Sequence, residues 1–549
     1  MSKKRFTIWH LFSILLLCFD LLFIVYPLFN VLKNSVIVDN VFSLAYFQKF
    51  FGESYYLSTL INSIKVAFVV TLTSLFFGIL LAYANTVYKL KGSLFLQIVT
   101  ILCSMSAPFV GAYSWVLLLG RGGAITQFMK NTFHVAMPSI YGFGGIVLVM
   151  TTKLFPLVYL YVSGALKGID QSLLEAAENL NCTGVRRFVK VIIPLCMPSI
   201  LAVSLMVFLR AMADFGTPVL IGEGYRTFSV EIYKQYIGEG GMDHGFAAAI
   251  AVIAILITAV VFFAQKAVSN HFSFKMDSMH PIQKKKPEGL LGFLLHLYSY
   301  LVVGISFMPQ IYIIYTSFRN VSKSGNIFVK GYSLNNYRTF FKRMGQAVPT
   351  TLIIGVVTLA LTIIIAVLTA YLIVRRSNKV NSVIDTLSMV PYIVPGSVIG
   401  IAMVMGFSTG PLVLTGTMAI MIIAISIRRM PYTIRSSVAT LQQIPLTVEE
   451  AAESLGCGKM KTFLVITVPM MMRGIVAGAI VSWITILTEL SSSIILYSSK
   501  TTTLTLATYI FVSRGTFGPA AASASILTLF TTISLLLFFK LTNSSDLSL

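Results

Sequence analysis

One stretch of this sequence occurs twice at a fixed spacing. The residues EAAENLNCTGVRRFVKVIIP, 175–194, return 275 positions later as EAAESLGCGKMKTFLVITVP, 450–469. Matching residues extend beyond the stretch, from the pair Leu166 and Leu441 to the pair Ile200 and Ile475. A register shared over such a length is hard to obtain by chance, so the sequence predicts two equivalent structural units in one chain.

The apolar composition indicates a membrane protein. Of the 549 residues, 56% are hydrophobic and only 11% are charged, which is more apolar surface than a water-soluble core can bury. A helix crosses a hydrocarbon core of about 30 Å with about 20 apolar residues, and it satisfies its own backbone hydrogen bonds in lipid. We therefore predict an all-α polytopic membrane protein with about 12 transmembrane helices, in two six-helix halves related by a pseudo-two-fold axis. The predicted spans are 11–33, 58–86, 95–120, 141–165, 198–221, 246–266, 290–317, 350–374, 383–407, 411–427, 473–497 and 520–540.

The surplus of basic residues is explained by membrane topology. Lysine and arginine exceed aspartate and glutamate by 22, and twelve alternating spans place nearly all of the basic clusters, such as Lys284 to Lys286, on one face. Cytoplasmic loops carry such an excess, so both termini are predicted to lie in the cytoplasm. The same distribution argues against nucleic-acid binding. The first apolar run is too long for the core of a signal peptide and is predicted to be a retained first helix.

The repeated stretch resembles the signature of one protein family. In the permease subunits of bacterial ATP-binding-cassette (ABC) importers, EAA is followed by three residues, a glycine, nine residues and I-x-L-P, in the loop before the penultimate helix. The second copy fits this signature with Val468 for the leucine, whereas the first copy has Asn181 at the glycine position. Asparagine tolerates positive φ better than most residues, so a tight turn is predicted there too. The chain is therefore similar to a fused double permease of the binding-protein-dependent transport system inner membrane component family, with the fold of type I ABC importers.

This resemblance implies that each copy is a coupling element, a short helix, a turn and a second helix that docks in a groove of an ATPase subunit. It also implies two copies of a cytoplasmic ABC ATPase, which would hold ATP and Mg²⁺, an external solute-binding protein, and a location in the bacterial cytoplasmic (inner) membrane. No GxxxxGK[ST] motif occurs, so the ATPase is expected to be a separate polypeptide. No catalytic residue and no cofactor is predicted for this chain. The predicted coupling residues are Glu175, Ala176, Ala177, Asn181, Pro194, Glu450, Ala451, Ala452, Gly456 and Pro469.

The stretch HPIQKKKPEG is a polar boundary between the two halves. It follows the sixth predicted span, so the topology places it in the cytoplasm together with both copies of the repeated stretch. The predicted organisation is a first transmembrane helix with an external segment (1–57), a first permease domain (58–266) with a cytoplasmic loop at 166–196, a linker (267–289), a seventh helix with an external segment (290–349), a second permease domain (350–540) with a loop at 441–471, and a cytoplasmic tail (541–549).

Fusion of two permease units in a chain of this length is similar to the ferric iron permeases and their relatives. The strings ADFGTPVLIG (213–222), MVPYIVPGSVIGIAM (389–403) and RRMPYTIRSSVATLQQIP (428–445) resemble iron-type permeases. The resemblance implies ferric iron as the cargo, with thiamine, 2-aminoethylphosphonate and polyamine as alternatives. From another class, an ion-coupled secondary transporter also has twelve spans in two halves, although it would give the paired motifs no purpose.

Four charged residues are predicted to lie deep in the membrane. Lys153 and Arg428 are equivalent at the spacing of 275, and Asp214 and Glu489 are equivalent in the same way. Counting about 1.5 Å per helical residue from the cytoplasmic loops places all four in one layer, at about 21 to 24 Å. Two interpretations remain open: a polar lining or gate of the translocation path, or structural ion pairs that include Arg210 with Asp214. Because the layer holds two bases and two acids, it is predicted to select neither cations nor anions.

Prolines and histidines complete the sequence-based expectations. Pro156 and Pro431 follow the two basic residues by three positions and are predicted to kink or break their helices. Pro194 and Pro469 are predicted to mark an interruption of helical hydrogen bonding where the chain returns to lipid. The six histidines are scattered, and no two stand at a spacing typical of metal ligands, so no metal site is predicted.

Overall fold

Helices form most of the structure. The computed structural model describes residues 7–38, 40–104, 107–238, 243–271, 282–322 and 328–542. Strands occur there only as two short antiparallel pairs, because a helix satisfies its backbone groups in lipid without a partner. The elements of the first half are α1 (Ile8–Asp20), α2 (Tyr26–Val36), β1 (Ile37–Val38), β2 (Val41–Phe42), α3 (Ala45–Gly52), α4 (Ser54–Val87), α5 (Ser93–Ser104), α6 (Pro108–Leu119), α7 (Ala124–Phe133), α8 (Phe143–Lys167), α9 (Gln171–Asn179), α10 (Gly184–Arg187), α11 (Ile193–Ala213), α12 (Gly216–Ile221), α13 (Phe228–Ile237) and α14 (His244–His271).

The second half follows a similar order of elements. Three π-helical segments join consecutive helices, and they are Leu21–Val25 between α1 and α2, Phe188–Ile192 between α10 and α11, and Phe463–Thr467 between α22 and α23. The elements of the second half are α15 (Gly289–Ser317), β3 (Arg319–Val321), β4 (Phe328–Tyr332), α16 (Asn335–Met344), α17 (Ala347–Arg375), α18 (Lys379–Ile393), α19 (Gly396–Phe407), α20 (Met418–Gln443), α21 (Thr447–Ser454), α22 (Lys459–Thr462), α23 (Val468–Leu487), α24 (Ser493–Leu496), α25 (Leu504–Ser513) and α26 (Phe517–Thr542).

Fewer helices than predicted are long and apolar enough to cross a membrane. The described part of the chain has nine such helices, counting joined helices as one. Two further candidates are bent at a short break, α5 with α6–α7 by 104° and α18 with α19 by 114°, which gives up to eleven spans against the predicted twelve. The predicted span 411–427 is wrong in its position, since α20 begins only at Met418 and continues to Gln443. The apolar run ends at the arginines of this helix, but the helix itself does not.

The helix boundaries recur along the chain at two offsets in sequence number. From α8 onward the second half repeats the first at an offset close to 275, as in the starts of α8 and α20 at Phe143 and Met418. Before α8 the offset is close to 288, as in the starts of α6 and α19 at Pro108 and Gly396. The offset changes between α6 and α8, where the first half has the additional helix α7. The repeat seen in the sequence thus extends further toward the N-terminus, across this insertion.

Two equivalent prolines lie inside long helices that continue past them. Pro156 lies inside α8 and Pro431 inside α20, and neither helix is broken there. A proline removes one backbone hydrogen bond, and neighbouring helices in a membrane bundle make that loss tolerable. Pro194 and Pro469 each occupy the second position of an α-helix, directly after a π-helical segment. The expected interruption is therefore a local widening of a helix that continues into the membrane region.

Each half has a core of three long helices. In the first half α4 packs against α8 and α11, and in the second half α17 packs against α20 and α23. Small residues allow close approach: a Cβ added to Gly78 of α4 would lie 2.5 Å from the Cβ of Val158 in α8. A Cβ added to Gly478 of α23 would lie 2.7 Å from the Cα of Thr433 in α20. Such contacts associate helices in lipid, where van der Waals packing replaces the hydrophobic effect.

The leading helix of each half packs against the opposite half. Helices α1 and α2 contact α18 and α19, and the hydroxyl of Ser13 donates a hydrogen bond to Oδ1 of Asn381 at 2.8 Å. In the reciprocal contact α15 packs against α5 and α6, and Nε2 of Gln310 donates to the carbonyl of Leu102 at 3.1 Å. The two halves are therefore interlocked by exchanged helices.

Gly478→Val is expected to lower the free energy of unfolding by roughly 1–3 kcal/mol, the usual range for overpacking. Valine is the residue at the equivalent position of α11, Val203, but α23 has no space for it against α20. Thermal unfolding in detergent, followed by size-exclusion chromatography, measures the effect. The matched control is Gly304→Val in α15, where no atom lies within 4 Å of the added Cβ. Equal melting temperatures for the two variants would contradict the close α20–α23 contact.

Candidate functional site

The first copy of the repeated stretch forms a helix, a turn and a second helix. Helix α9 ends at Asn179, and Asn181 follows with φ of +59°. The N–H of Asn181 donates to the carbonyl of Glu178 at 2.9 Å, and the N–H of Cys182 donates to the carbonyl of Ala177 at 2.9 Å. This pair of bonds ends a helix through one residue in the left-handed conformation. The chain then continues through α10 and a π-helical segment into the long helix α11.

The second copy repeats this geometry with glycine at the turn. Gly456 has φ of +86°, and its N–H donates to the carbonyl of Glu453 at 3.0 Å. The N–H of Cys457 donates to the carbonyl of Ala452 at 3.0 Å. Asn181 thus forms the turn that glycine forms in the second copy, because asparagine tolerates positive φ better than most side chains. We call α9 to α10 the first coupling element and α21 to α22 the second.

Each coupling element presents a leucine that the sequence analysis did not single out. Leu180 and Leu455, directly before the turns, are 82% and 89% exposed, more than any other large hydrophobic side chain in the described residues. The signal was present in the sequence, since both copies of the repeat have a leucine at this position. Of the predicted coupling residues, two are buried, Ala177 and Ala452, and eight are exposed, Glu175, Ala176, Asn181, Pro194, Glu450, Ala451, Gly456 and Pro469.

The second coupling element is anchored to the end of α17. The buried carboxylate of Glu449 accepts hydrogen bonds from Nε of Arg375 at 2.9 Å and from the hydroxyl of Tyr371 at 3.1 Å. Arg375 also donates to the carbonyl of Ile444, just before α21, at 2.7 Å. These contacts hold α21 against the long helix of its own half.

The first coupling element is anchored to the linker between the halves. Glu178 accepts hydrogen bonds from Arg187 at 2.9 Å and from Lys285 of the linker at 3.2 Å. The hydrogen bond and the positive charge of Lys285, together with the charge of Arg187, lower the pKa of the Glu178 carboxyl. The equivalent residue, Glu453, forms no ion pair within the described residues. The two elements therefore share their turn but differ in how they are held.

The four predicted intramembrane charges form two clusters of ion pairs. Nζ of Lys153 lies 3.8 Å from Oδ2 of Asp214, so α8 is paired with the residue after α11. The carboxylate of Glu489 accepts hydrogen bonds from both Arg428 and Arg429. Arg429 was not among the predicted residues, because the first half has no basic residue at the equivalent position. These contacts favour the ion-pair interpretation of the layer.

The predicted pair of Arg210 with Asp214 does not form. Helix α11 ends at Ala213, and the backbone of Asp214 is extended, so the helical spacing of four residues no longer brings the two side chains together. Asp214 instead accepts hydrogen bonds from the backbone N–H of Gly216 at 2.9 Å and from the hydroxyl of Thr217 at 3.1 Å. Its carboxylate thereby caps the start of α12 in addition to pairing with the lysine.

No ligand cluster for a metal is found in the part of the chain that the structure describes. Groups of three or more histidine, cysteine, aspartate or glutamate side chains close enough to hold a metal ion do not occur there. The five cysteines are free.

A duplicated helical membrane bundle with a matched pair of exposed coupling elements has the architecture of a transport permease. The chain belongs to the family described as binding-protein-dependent transport system inner membrane component, whose model matches residues 74–273 and 362–543. Each matched region contains one coupling element and the long helices that flank it. The fused double permease expected from the sequence is thus confirmed.

Several named permeases are similar in sequence to this chain, and they align with one or both of its units. The "Ferric transport system permease protein FbpB" of Actinobacillus pleuropneumoniae is 27% identical over 558 residues, which span 98% of this chain and 78% of that protein. The "Putative ferric transport system permease protein FbpB 1" of Haemophilus influenzae is 26% identical over 520 residues, 91% of this chain and 79% of that protein. The "Putative 2-aminoethylphosphonate transport system permease protein PhnU" of Salmonella typhi is 26% identical over 220 residues, 39% of this chain and 75% of that protein.

Proposed function

We propose that this chain is the membrane-spanning subunit of an ATP-driven importer of ferric iron. The observation that carries the proposal is the similarity to two ferric transport permeases over 98% and 91% of the chain. Membership of the permease family supports import that depends on a solute-binding protein. The 2-aminoethylphosphonate relative aligns over a single unit, which makes that solute the second candidate.

Two copies of a cytoplasmic ABC ATPase are the proposed motor, one on each coupling element. Leu180 and Leu455 enter grooves of the ATPase, with Glu175 and Glu450 beside them. ATP and Mg²⁺ bind to the ATPase, since this chain has no nucleotide-binding motif. This arrangement requires both termini and the linker 267–289 on the cytoplasmic face of the inner membrane, and a solute-binding protein on the other face.

The proposed layout keeps two six-helix halves related by an axis along the membrane normal. Its permease domains are 58–266 and 350–540, each preceded by a leading helix and an external segment, and a short cytoplasmic tail follows the second. The recurrence of helix boundaries at the two offsets described above supports this layout. So does the matching three-helix core of each half.

The transport cycle is alternating access, in which the chain makes and breaks no covalent bond. Closure of the ATPase pair on ATP moves the coupling elements, and hydrolysis returns them. A ligand shifts an equilibrium only by its preference between states, so the free energy comes from tighter binding of ATP to the closed ATPase pair. The unbroken course from α10 through the π-helical segment into α11 gives this displacement a direct route into the membrane.

We place the charge layer of Lys153, Asp214, Arg428 and Glu489 on the translocation path. The ion pair of Lys153 with Asp214 and that of Arg428 with Glu489 occupy equivalent positions of the two halves. A path that opens alternately between two halves passes such a matched pair of positions. Ion pairing and pathway lining are compatible, because the same charges can hold the closed layer together and contact the solute when it opens.

Uptake by the reconstituted complex tests the proposal. Proteoliposomes that contain this chain and its ATPase are supplied with the solute-binding protein, loaded with radioactive ferric iron, on the receptor face. Accumulation of iron is expected only with ATP, and an ATPase variant that cannot hydrolyse ATP is the control. Uptake driven by a proton or sodium gradient without ATP would instead indicate a secondary transporter. Uptake of 2-aminoethylphosphonate but not of iron would overturn the proposed cargo.

A further inference from the structure

The two coupling elements are attached to their halves by different means at one matched point. In the second half, Arg375 is the last residue of α17, and its Nε donates to the carboxylate of Glu449 in α21 at 2.9 Å. The last residue of the equivalent helix α4 is Val87, and the counterpart of Glu449 in α9 is Leu174. Apolar side chains cannot form an ion pair. The first half therefore lacks the buried anchor of the second.

The linker between the halves occupies this point with backbone hydrogen bonds. The N–H of Lys285 donates to the carbonyl of Val87 at 2.9 Å, and the carbonyl of Lys285 accepts from the N–H of Lys89 at 3.0 Å. The two bonds form a short parallel bridge at the end of α4. The backbone of Lys285 is therefore fixed beside the residue that is equivalent to Arg375.

From this point the linker contacts both ends of α9. Nζ of Lys285 donates to Oε2 of Glu178, in the last turn of α9, at 3.2 Å. The N–H of Gln283 donates to Oε1 of Gln171, the first residue of α9, at 3.3 Å. Gln171 donates in turn to Oε1 of Glu175 at 3.0 Å, so the contact extends to a predicted coupling residue.

The chain that follows Lys285 is also fixed in place. Helix α15 begins at Gly289, four residues further on. Near its start, Nε2 of His296 accepts from the N–H of Lys91 at 3.2 Å, and the hydroxyl of Tyr300 donates to the carbonyl of Lys91 at 2.7 Å. The linker residues beside α9 thus lie between two points of attachment to the α4–α5 connection. We call these linker residues, 282–288, the strap.

The strap differs from the buried anchor in its contact with water. The side chains of Lys285 and Glu178 are 51% and 47% exposed, whereas those of Arg375 and Glu449 are 10% and 6% exposed. Salt screens an exposed ion pair strongly and a buried one much less. An exposed pair also contributes little stability, so it opens far more easily than a buried pair.

We propose that the strap positions the first coupling element for docking to its ATPase, with Lys285 as the positioning residue, and that this attachment opens and closes while that of the second element stays closed. Two ATPase sites on one permease are then mechanically unequal, even where both hold the same ATPase. The role in transport rests on the proposed function, whereas the attachment itself rests on the contacts of the strap.

Two native cysteines at equivalent positions report on the attachment. Cys182 and Cys457 directly follow the two turns, and both are partly exposed. The full chain in phosphatidylcholine nanodiscs is treated with N-ethylmaleimide, and mass spectrometry measures the alkylation rate of each cysteine. Added potassium chloride is expected to speed alkylation of Cys182 but not of Cys457. Lys285→Ala is expected to speed alkylation of Cys182 about two- to fivefold at low salt, the range that an exposed ion pair yields, and to remove most of the salt effect.

Neighbouring and conservative variants show that the ion pair is responsible. Lys286→Ala removes the same charge one position further on, where the side chain forms no ion pair in the described part of the chain, and is expected to behave as the wild type does. Lys285→Arg is expected to keep alkylation slow, and Lys285→Glu to speed it more than Lys285→Ala does, because it repels Glu178. The proposal is overturned if Lys285→Ala alkylates at the wild-type rate, if Lys286→Ala has the same effect, or if both cysteines accelerate equally.

Uptake by the same variants separates this proposal from the proposed function. Each variant is reconstituted with its ATPase, and the iron taken up per ATP hydrolysed is measured. This ratio is expected to fall in Lys285→Ala and to recover in Lys285→Arg. An unchanged ratio in Lys285→Ala, despite faster alkylation of Cys182, would overturn the positioning role. A complex that takes up no iron with ATP would instead overturn the proposed function, and the alkylation rates would still establish the attachment.

Discussion

Glu489→Gln is expected to destabilise the protein more than any other single substitution in the membrane region that we consider. Glu489 is 2% exposed and accepts hydrogen bonds from two arginines, so the variant leaves two buried cations without their anion. Removing one partner of a buried ion pair typically costs about 3–5 kcal/mol. Thermal unfolding in detergent is expected to show a clearly lower melting temperature and little monodisperse protein after mild heating.

Two further variants show whether the loss comes from the stranded arginines. Asp214→Asn is expected to be milder, because only one lysine, 3.8 Å away, loses its partner and the amide oxygen can still accept from Gly216. Adding Arg429→Leu to Glu489→Gln is expected to restore part of the lost stability, since it removes one of the unpaired charges. A Glu489→Gln variant that melts with the wild type would show that the ion pairs do not stabilise the layer.

The double variant Leu180→Glu with Leu455→Glu is expected to abolish ATP-dependent uptake and co-purification with the ATPase, while the chain itself remains folded. Both leucines are more than four-fifths exposed, so their replacement costs no core packing. Full burial of such a side chain in a partner contributes about 1.5–3 kcal/mol, and two of them together account for a loss of affinity of about a hundredfold or more. A carboxylate in an apolar groove adds a desolvation cost.

A matched substitution at the opposite end of α20 is the control. Val413→Glu changes a 55% exposed apolar residue in the loop before α20, whereas the second coupling element follows the end of that helix. This variant is expected to co-purify with the ATPase normally. The single variants are informative as well, because the first coupling element is additionally held by Lys285 of the linker. Normal ATPase binding by the double variant would exclude the leucines as docking residues.

The coupling elements could be predicted from the sequence because their geometry is set locally. A residue at positive φ ends each helix, and only a few residue types tolerate that conformation, so Asn181 could be recognised as the counterpart of Gly456. The apolar runs likewise indicated most of the membrane helices, since lipid leaves the backbone few alternatives.

The remaining features depend on contacts that a repeat or a hydropathy profile does not contain. Arg429 escaped the prediction because it breaks the repeat, and its contact with Glu489 appears only when α20 packs against α23. The end of α20 was misplaced because its arginines interrupt the apolar run, whereas in the structure the buried carboxylate of Glu489, just after α23, compensates for two of them. The predicted partner of Asp214 was wrong because the helix ends one residue earlier than the spacing requires.

The exchanged leading helices limit how the two halves can move. Helices α1 and α2 pack against α18 and α19 of the second half, and α15 packs against α5 and α6 of the first. Helix α2 also packs against α14, and α15 against α26, each within its own half. The leading helices thus bridge the halves, and a relative rotation has to shift one of the two sets of contacts that each of them makes.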